Sequence, residues 1–469
     1  MKKKSNLEEA ELKNGSIVYY EKDILGEGGK GEVHLLEGRQ SVVKFFKSTE
    51  DQKDPELFDR LESIIKKYNP TLDPDYGKYW DNIYRWPADI VIKPKLGVIT
   101  PIYPKSFYFR DGREKILSWF VLSPKVRKTV PIDERGNWLG HLQLTVLMAR
   151  TTRRLHSAGL AHSDLSYKNF LGDPVTGKLL MIDLDDLVVP DIHPPKVEGT
   201  PGLIAPEVLM GNAEPSIRTD LHALAVLIYQ MLLFRHPLKG IKSYSDNPVE
   251  DEKIGLGEKA LFIEHPSDQS NRPSGIIYNY WILGPELVKL IEDAFIHYVH
   301  KPEQRPTALD WETALVKTTD LIYPCLNSSC ENKWFVLQNN SLECPWCRTK
   351  ITYPNVPILS FYKEQLGKAG NYLSEGRTLV VWHGLRLHKW HVFDNIWPGE
   401  NADRIEHGYF VFHNGEWHLV NQEMSMGVIE NGLFRPIRKG ESIVLRHNQQ
   451  IRLSDQSHGR LVLVQLRTT

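Results

Sequence analysis

The chain has almost no net charge: its 469 residues carry 58 Lys plus Arg against 59 Asp plus Glu. No global field therefore draws it to nucleic acid or to a membrane surface. The one locally basic stretch, Met1-Lys2-Lys3-Lys4, is too short to alter that. No 18-residue apolar run exists, so no spanning helix is expected, and the polar N-terminus argues against a secretory signal. Cysteine is scarce too. All four fall between 325 and 347, which speaks against a disulfide-stapled secreted protein and for a cytoplasmic one. Charged residues at 25% and hydrophobic residues at 41% are ordinary for a soluble globular protein, and the length predicts about three domains.

The stretch around which the chain is organised is Ala161 to Leu187, AHSDLSYKNFLGDPVTGKLLMIDLDDL. It predicts a polar loop, a strand ending at Leu171, a Gly-containing turn, a second strand from Leu179 to Ile182, and a carboxylate cluster. Asp164, Asn169 and Asp183 are spaced for phosphoryl transfer, in which one carboxylate orients a hydroxyl while an amide and a second carboxylate hold Mg²⁺. HSDLSYKN resembles the protein-kinase catalytic loop H-R-D-L-x-x-x-N, and IDLDD stands where that family has D-F-G. The expected fold is thus α+β, a two-lobe protein-kinase fold, with the kinase domain over 16–318 (first lobe about 16–103, second about 104–318).

Upstream, residues 16–46 alternate in short runs and predict strands. Gly26, Gly28 and Gly31 form G-x-G-x-x-G, where glycine lets backbone N–H groups approach phosphates. A flexible hairpin explains most such loops. Here Val33 and SVVK ending at Lys44 follow, similar to the kinase V-A-I-K, so the resemblance makes Lys44 an α/β-phosphate ligand rather than a solvated strand lysine. DPELFDRLESIIKKY, 54–68, fits a helix capped by Asp54, with Pro55 in its first turn and Leu57, Leu61, Ile64 and Ile65 on one face. The resemblance implies that a glutamate of this helix holds Lys44. Glu62 is the expected one and Glu56 its rival, although a helix glutamate is by default an exposed charge. ADIVIKP and GVITPIYP predict two strands; the resemblance implies that the second leads into a hinge near Thr100–Tyr103 that meets the adenine, with Val33 and Leu171 covering its two faces. A helix over 137–156 closes at Gly159. His162 is read as a buried structural hydrogen-bonder, not a base.

Downstream, GTPGLIAPEVL (199–209) is close to the segment ending A-P-E. A buried Glu207 needs a partner, which KPEQRPT supplies as Arg305. Asp220 opens a helix that is apolar nearly all round and so buried. Residues 239–280 read as a polar insertion, followed by helices near 285–298 and 307–318. Three positions depart from the family. Ser163 replaces the arginine of H-R-D, Ser166 a lysine whose charge Lys168 can supply, and Asp185 the glycine of D-F-G. Between Asp183 and Gly199 there is no Ser, Thr or Tyr. With Ser163, this argues that loop phosphorylation is not the switch and that Thr200 is a substrate-side residue. Aminoglycoside-type small-molecule phosphotransferases share H-x-D…N…D-x-D, but generally lack the glycine loop, GTPGLIAPE, Asp220 and Arg305. A nucleotide-binding pseudokinase scaffold is the other alternative, and it would need none of Lys44, Asp164, Asn169 and Asp183.

Cys325, Cys330, Cys344 and Cys347 form C-x4-C…C-x2-C, the pattern of a closed structural Zn²⁺ site, and predict a zinc ribbon over 319–355. CPWC also resembles a redox motif, but without flanking βαβ units, and disulfides would need an oxidising compartment. Residues 356–469 predict an antiparallel β-sandwich, with Asn414-Gly415 as a hairpin turn and two strands about Gly384. Their order is similar to the latter half of forkhead-associated domains, which implies a possible phosphopeptide ligand. Arg404-x-x-His407 carries Arg where that family has Ser, and a sandwich without such a pocket fits equally. The whole combination resembles bacterial tellurite-resistance kinases. That resemblance implies ATP, Mg²⁺ and Zn²⁺ as cofactors, a protein substrate, and as partners a protein phosphatase 2C-type enzyme and a von Willebrand A protein.

Overall fold

The computed structural model describes residues 6–28, 31–48, 53–194, 199–243, 252–338, 341–365, 367–368 and 370–468. The Gly29-Lys30 centre of the glycine loop, the basic start, residues 195–198 and part of the 239–280 insertion lie outside them. Two compact units result: Met1–Gly136 with Gly140–Ile276 and Lys289–Glu312, and Asn137–Leu139 with Ile277–Val288 and Thr313–Thr469. The ribbon and sandwich segments, expected as separate domains, thus fall in one unit.

In the first unit, β1 (Leu7–Leu12), β2 (Ile17–Glu27), β3 (Gly31–Leu36), β4 (Ser41–Phe46), β5 (Asp89–Lys93) and β6 (Gly97–Pro101) close into a barrel of order β1-β2-β3-β4-β6-β5. The expected start at residue 16 omits β1, which pairs with both β2 and β5. On β4 the two-residue period sends Val43 and Phe45 into the barrel core with Ala10, Tyr20 and Val91. Phe46 points the other way, into a second cluster with Leu57 and Leu61 of the helix Pro55–Glu62, so Lys44 leaves the strand on that side. The helix begins as expected, the Asp54 carboxylate accepting the Glu56 N–H at 2.9 Å. It widens into a π-turn at Ser63–Lys67, where the Trp86 indole N–H donates to the Ile64 carbonyl at 2.9 Å.

The rest of this unit is mainly helical. Helix Trp138–Ser157 ends before Gly159, whose φ of +80° makes a left-handed stop that glycine adopts without strain. Helix Ile217–Leu233 buries every residue from Asp220 onward. The two strands of the organising stretch are β7 (Phe170–Asp173) and β8 (Lys178–Met181), so the first starts at Phe170 rather than ending at Leu171. The turn that joins them uses Gly177, at φ +68°. Arg305 grips Glu207 through two parallel bonds of 2.7 Å and also donates to the carbonyls of Arg218 and Val299.

In the second unit, β9 (Ile322–Pro324) and β10 (Trp334–Val336) form a small antiparallel pair. Ten further strands follow: β11 (Asn355–Glu364), β12 (Tyr372–Val380), β13 (Arg386–His388), β14 (Glu406–His413), β15 (Glu416–Asn421), β16 (Gly427–Glu430), β17 (Leu433–Pro436), β18 (Ser442–Val444), β19 (Gln450–Arg452) and β20 (Leu461–Thr468). They form two sheets of order β12-β11-β20-β19-β16-β17 and β13-β14-β15-β18. Leu359, Phe361, Phe410, Leu419, Ile451, Val462 and Val464 fill one shared core. Asn414 and Gly415 have φ +50° and +82°, the left-handed pair that a two-residue hairpin between β14 (Glu406–His413) and β15 (Glu416–Asn421) demands. The strands either side of Gly384, β12 (Tyr372–Val380) and β13 (Arg386–His388), belong to different sheets. Arg404 is exposed ahead of β14, and His407 lies on that strand.

Removing one side of a buried ion pair strands the other charge. Arg305→Ala is therefore expected to destabilise the first unit by about 3–5 kcal/mol. Lys66→Ala, which breaks only an exposed i,i+4 pair with Glu62, should cost about 0.5 kcal/mol or less. Urea unfolding of both variants checks the contrast.

Candidate active site

Lys44 reaches the cleft because β3 and β4 lie close together. Val33 pairs with Lys44 and Gly31 with Phe46. A Cβ on Gly31 would meet the Phe45 carbonyl at 2.8 Å and Lys44 Cγ at 2.9 Å, so that glycine is required by the sheet itself. At Gly26 and Gly28 a Cβ would touch nothing within 4 Å, so the chain's own packing does not require glycine there. Lys44 Nζ lies 2.8 Å from Asp185 Oδ2 and 3.9 Å from Asp183 Oδ1. Burial alone would lower the lysine's pKa, but Asp185, Asp183 and Asp186 together raise it, so the ammonium is fixed. Asp183 sits in the left-handed region at φ +57° and keeps 55% of its side chain accessible. The cleft walls and the neighbouring Asp185 and Asp186 raise its pKa, against the pull of Lys44.

The loop that carries Asp164 is tied down at each end. Asp220 Oδ2 accepts the His162 backbone N–H at 2.7 Å and faces His156 Nε2 at 3.0 Å. The His162 ring is buried with Nε2 3.4 Å from the Ile182 carbonyl. Ser163 donates its hydroxyl to the Asp186 carbonyl at 2.7 Å, and Ser166 caps the turn Tyr167–Asn169 through the Lys168 N–H. Asn169 donates its amide to the Asp164 carbonyl at 2.7 Å, and its own carbonyl accepts the Ile182 N–H at 3.0 Å. Thr200 Oγ1 donates to Asp164 Oδ2 at 3.1 Å, and Lys168, in the turn after Asp164, is exposed.

Two expected residues take other places. Glu62 does not hold Lys44. Its carboxylate is bound by Lys13 and, at 2.8 Å, by Lys66, and these cations depress its pKa to about 2. Lys13 comes from the β1–β2 turn, and the strand before it was not expected. Leu171 has no accessible surface, being packed with Phe107, Leu180 and Ile182 against Tyr103. Asp185 was the missed partner of Lys44. The sequence held a signal for it, since a carboxylate following an apolar strand into a buried turn needs a cation.

The family model described as Protein kinase domain matches residues 139–315. A serine/threonine-protein kinase PknD of Chlamydia muridarum is 27% identical over 282 residues, 53% of this chain and 28% of that protein. The protein of the same name from Chlamydia felis is 24% identical over 359 residues, 67% of this chain and 33% of that protein. A dual serine/threonine and tyrosine protein kinase of Apis mellifera is 30% identical over 95 residues, 20% of this chain and 10% of its own. The chain spans a third or less of the length of each of these relatives.

Beside Thr200, the segment around Gly202 is held by the half-buried imidazole of His236. His236 Nε2 lies 2.7 Å from the Gly202 carbonyl, while Nδ1 accepts the N–H groups of Leu238 and Lys239 at 3.0 and 3.1 Å. Two donors on Nδ1 require the neutral ring with its proton on Nε2. Burial pushes the pKa down to about 3.

In the second unit the four cysteine sulfurs lie within 4.8 Å of one another, with Cys325–Cys347 at 3.4 Å and Cys330–Cys344 at 4.0 Å. A disulfide needs about 2.0 Å. Zn–S bonds of about 2.3 Å at tetrahedral angles would put sulfurs about 3.8 Å apart, so this donor set fits zinc. The turns that aim them bond the Cys325 N–H to the Lys333 carbonyl at 2.7 Å and the Arg348 N–H to the Cys344 carbonyl at 2.8 Å.

His236 is neutral when folded and has its ordinary pKa when unfolded, so the unfolded chain binds more protons below pH 6.5. Its stabilisation is complete above that pH and is lost progressively as pH falls from about 6.5 towards 3. Imidazole ¹⁵N shifts are expected to show His236 as the Nε2–H tautomer down to about pH 4.

Proposed function

We propose that the chain is an ATP- and Mg²⁺-dependent serine/threonine protein kinase. The single observation that carries this reading is the convergence of Lys44, from a strand of the barrel, on Asp183, which lies 139 positions later in the sequence. Asp164 orients the substrate hydroxyl and accepts its proton. The hydroxyl oxygen bonds to the γ-phosphorus as the bond to the β-phosphate oxygen breaks, leaving ADP. Lys44 binds the α- and β-phosphates, and Lys168 supplies positive charge near the transferred group. Asn169 and Asp183 would hold Mg²⁺, which when bound neutralises charge on the phosphates. Gly26, Gly28, Gly31 and Val33 line the nucleotide side. Thr200, hydrogen-bonded to Asp164, belongs to the acceptor side rather than to a regulatory switch.

Under the same reading the four cysteines bind one structural Zn²⁺, and the β-sandwich docks a partner. A protein phosphatase 2C-type enzyme and a von Willebrand A protein are the partners that the tellurite-resistance resemblance implies. The resemblance to forkhead-associated domains supports a phosphopeptide as the sandwich's ligand.

Purified chain with labelled ATP and candidate protein substrates is expected to transfer label to protein. Asp164→Asn should reduce the rate by about 10²–10⁴-fold. Label on a small molecule would favour the aminoglycoside-type reading, and none at all a scaffold. An obligatory phosphate mapped to Thr200 in active protein would overturn its assignment. Elemental analysis should find one zinc per chain. Its removal by a chelator is expected to abolish the near-ultraviolet dichroism of the tryptophans around the cysteines, because metal binding supplies much of the folding energy of so small a core.

A further inference from the structure

We propose that Asp185 is the positioning residue for Lys44, taking the part that a glutamate of helix Pro55–Glu62 was expected to play. The inference rests on the reading of Lys44 as the nucleotide's phosphate ligand.

Geometry gives the first support. Lys44 Nζ and Asp185 Oδ2 are 2.8 Å apart, with 19% and 7% of their side chains accessible. A charge-assisted bond so shielded is strong, and losing it would strand an ammonium out of water. The second support is the fate of the helix's acids. Glu62 is engaged by Lys13 and Lys66, while Glu56 and Asp59 are exposed. The third is the rigidity of the carboxylate's mounting. Asp185 lies in the turn Leu184–Asp186, where Leu184 is 1% exposed and the Asp186 carbonyl is bonded to Ser163.

An ammonium has three donors, so Lys44 can keep Asp185 and still donate to phosphate oxygens. Holding the lysine in place beforehand removes the ordering cost that nucleotide binding would otherwise carry. The phosphate-binding lysine is thereby set by the segment that also carries Asp183, and the position of helix Pro55–Glu62 ceases to be a condition for binding.

The test uses the full chain and measures the affinity for Mg·ADP by calorimetry, alongside kcat and KM for ATP. Asp185→Asn is expected to weaken ADP binding and raise KM by about tenfold. Glu62→Gln should stay within about twofold of wild type. Lys44→Met combined with Asp185→Asn should bind no more weakly than Lys44→Met alone, since Asp185 acts through the lysine. Any of three results overturns the proposal: a tenfold loss in Glu62→Gln, unchanged or tighter binding in Asp185→Asn, or a further loss in the double variant. If Asp185→Asn does not fold, the double variant, which removes both members of the shielded Lys44–Asp185 pair, still decides against Lys44→Met. Wild type that binds ADP in an Asp185-dependent way but transfers no phosphate would sink the kinase reading alone. Wild type that binds no nucleotide would sink both.

Discussion

Charge held out of water around Lys44 is the constraint on which the rest of the first unit depends. One ammonium faces Asp183, Asp185 and Asp186, and it answers both the burial that would neutralise it and the mutual repulsion of three carboxylates. The barrel sets one side of this balance through β4, and the turn after β8 sets the other. Asp183 keeps about half of its side chain accessible, and burial together with the neighbouring Asp185 and Asp186 raises its pKa against the pull of Lys44. A second set of bonds carries the same order outward. Asn169 links Asp164 to Ile182, Asp220 fixes the backbone at His162, and Thr200 joins Asp164 to the segment held by His236.

Much of this was legible in the sequence because it depends on local rules. The Asp54 cap, the apolar face of Leu57 and Leu61, the Asn414-Gly415 turn and the buried helix after Asp220 follow from spacing and residue type alone. The distant pair Glu207 and Arg305 was legible for another reason, since a buried carboxylate demands a cation and the chain offers one at the matching place. The four cysteines converge as their two short spacings predict.

What sequence could not supply was competition between distant groups. Glu62 lies on the expected helix, yet Lys13, 49 residues away, claims it. Strand β1, LEEAEL, carries three glutamates that mask its alternation, although Ala10 and Leu12 are buried. Missing that strand also hid Lys13, and so the reason for misplacing Glu62. Asp185 was recognised as a departure from glycine, but its direction depends on how the turn Leu184–Asp186 lies beneath β4. Leu171 was expected at an open face and is instead sealed under Tyr103, a matter of packing that no spacing reveals.

The ring formed by β1 through β6 has a consequence for how this lobe meets other chains. An open sheet ends in two rows of unpaired N–H and C=O groups, which can recruit a foreign strand and seed aggregation. Here Leu7–Leu12 occupies both ends at once, bonding to β2 on one flank and β5 on the other. Six residues thus cover the margin of β2 and close onto β5 through Glu11 and Leu12, and a chain trimmed to begin after them would bare both margins to a foreign strand.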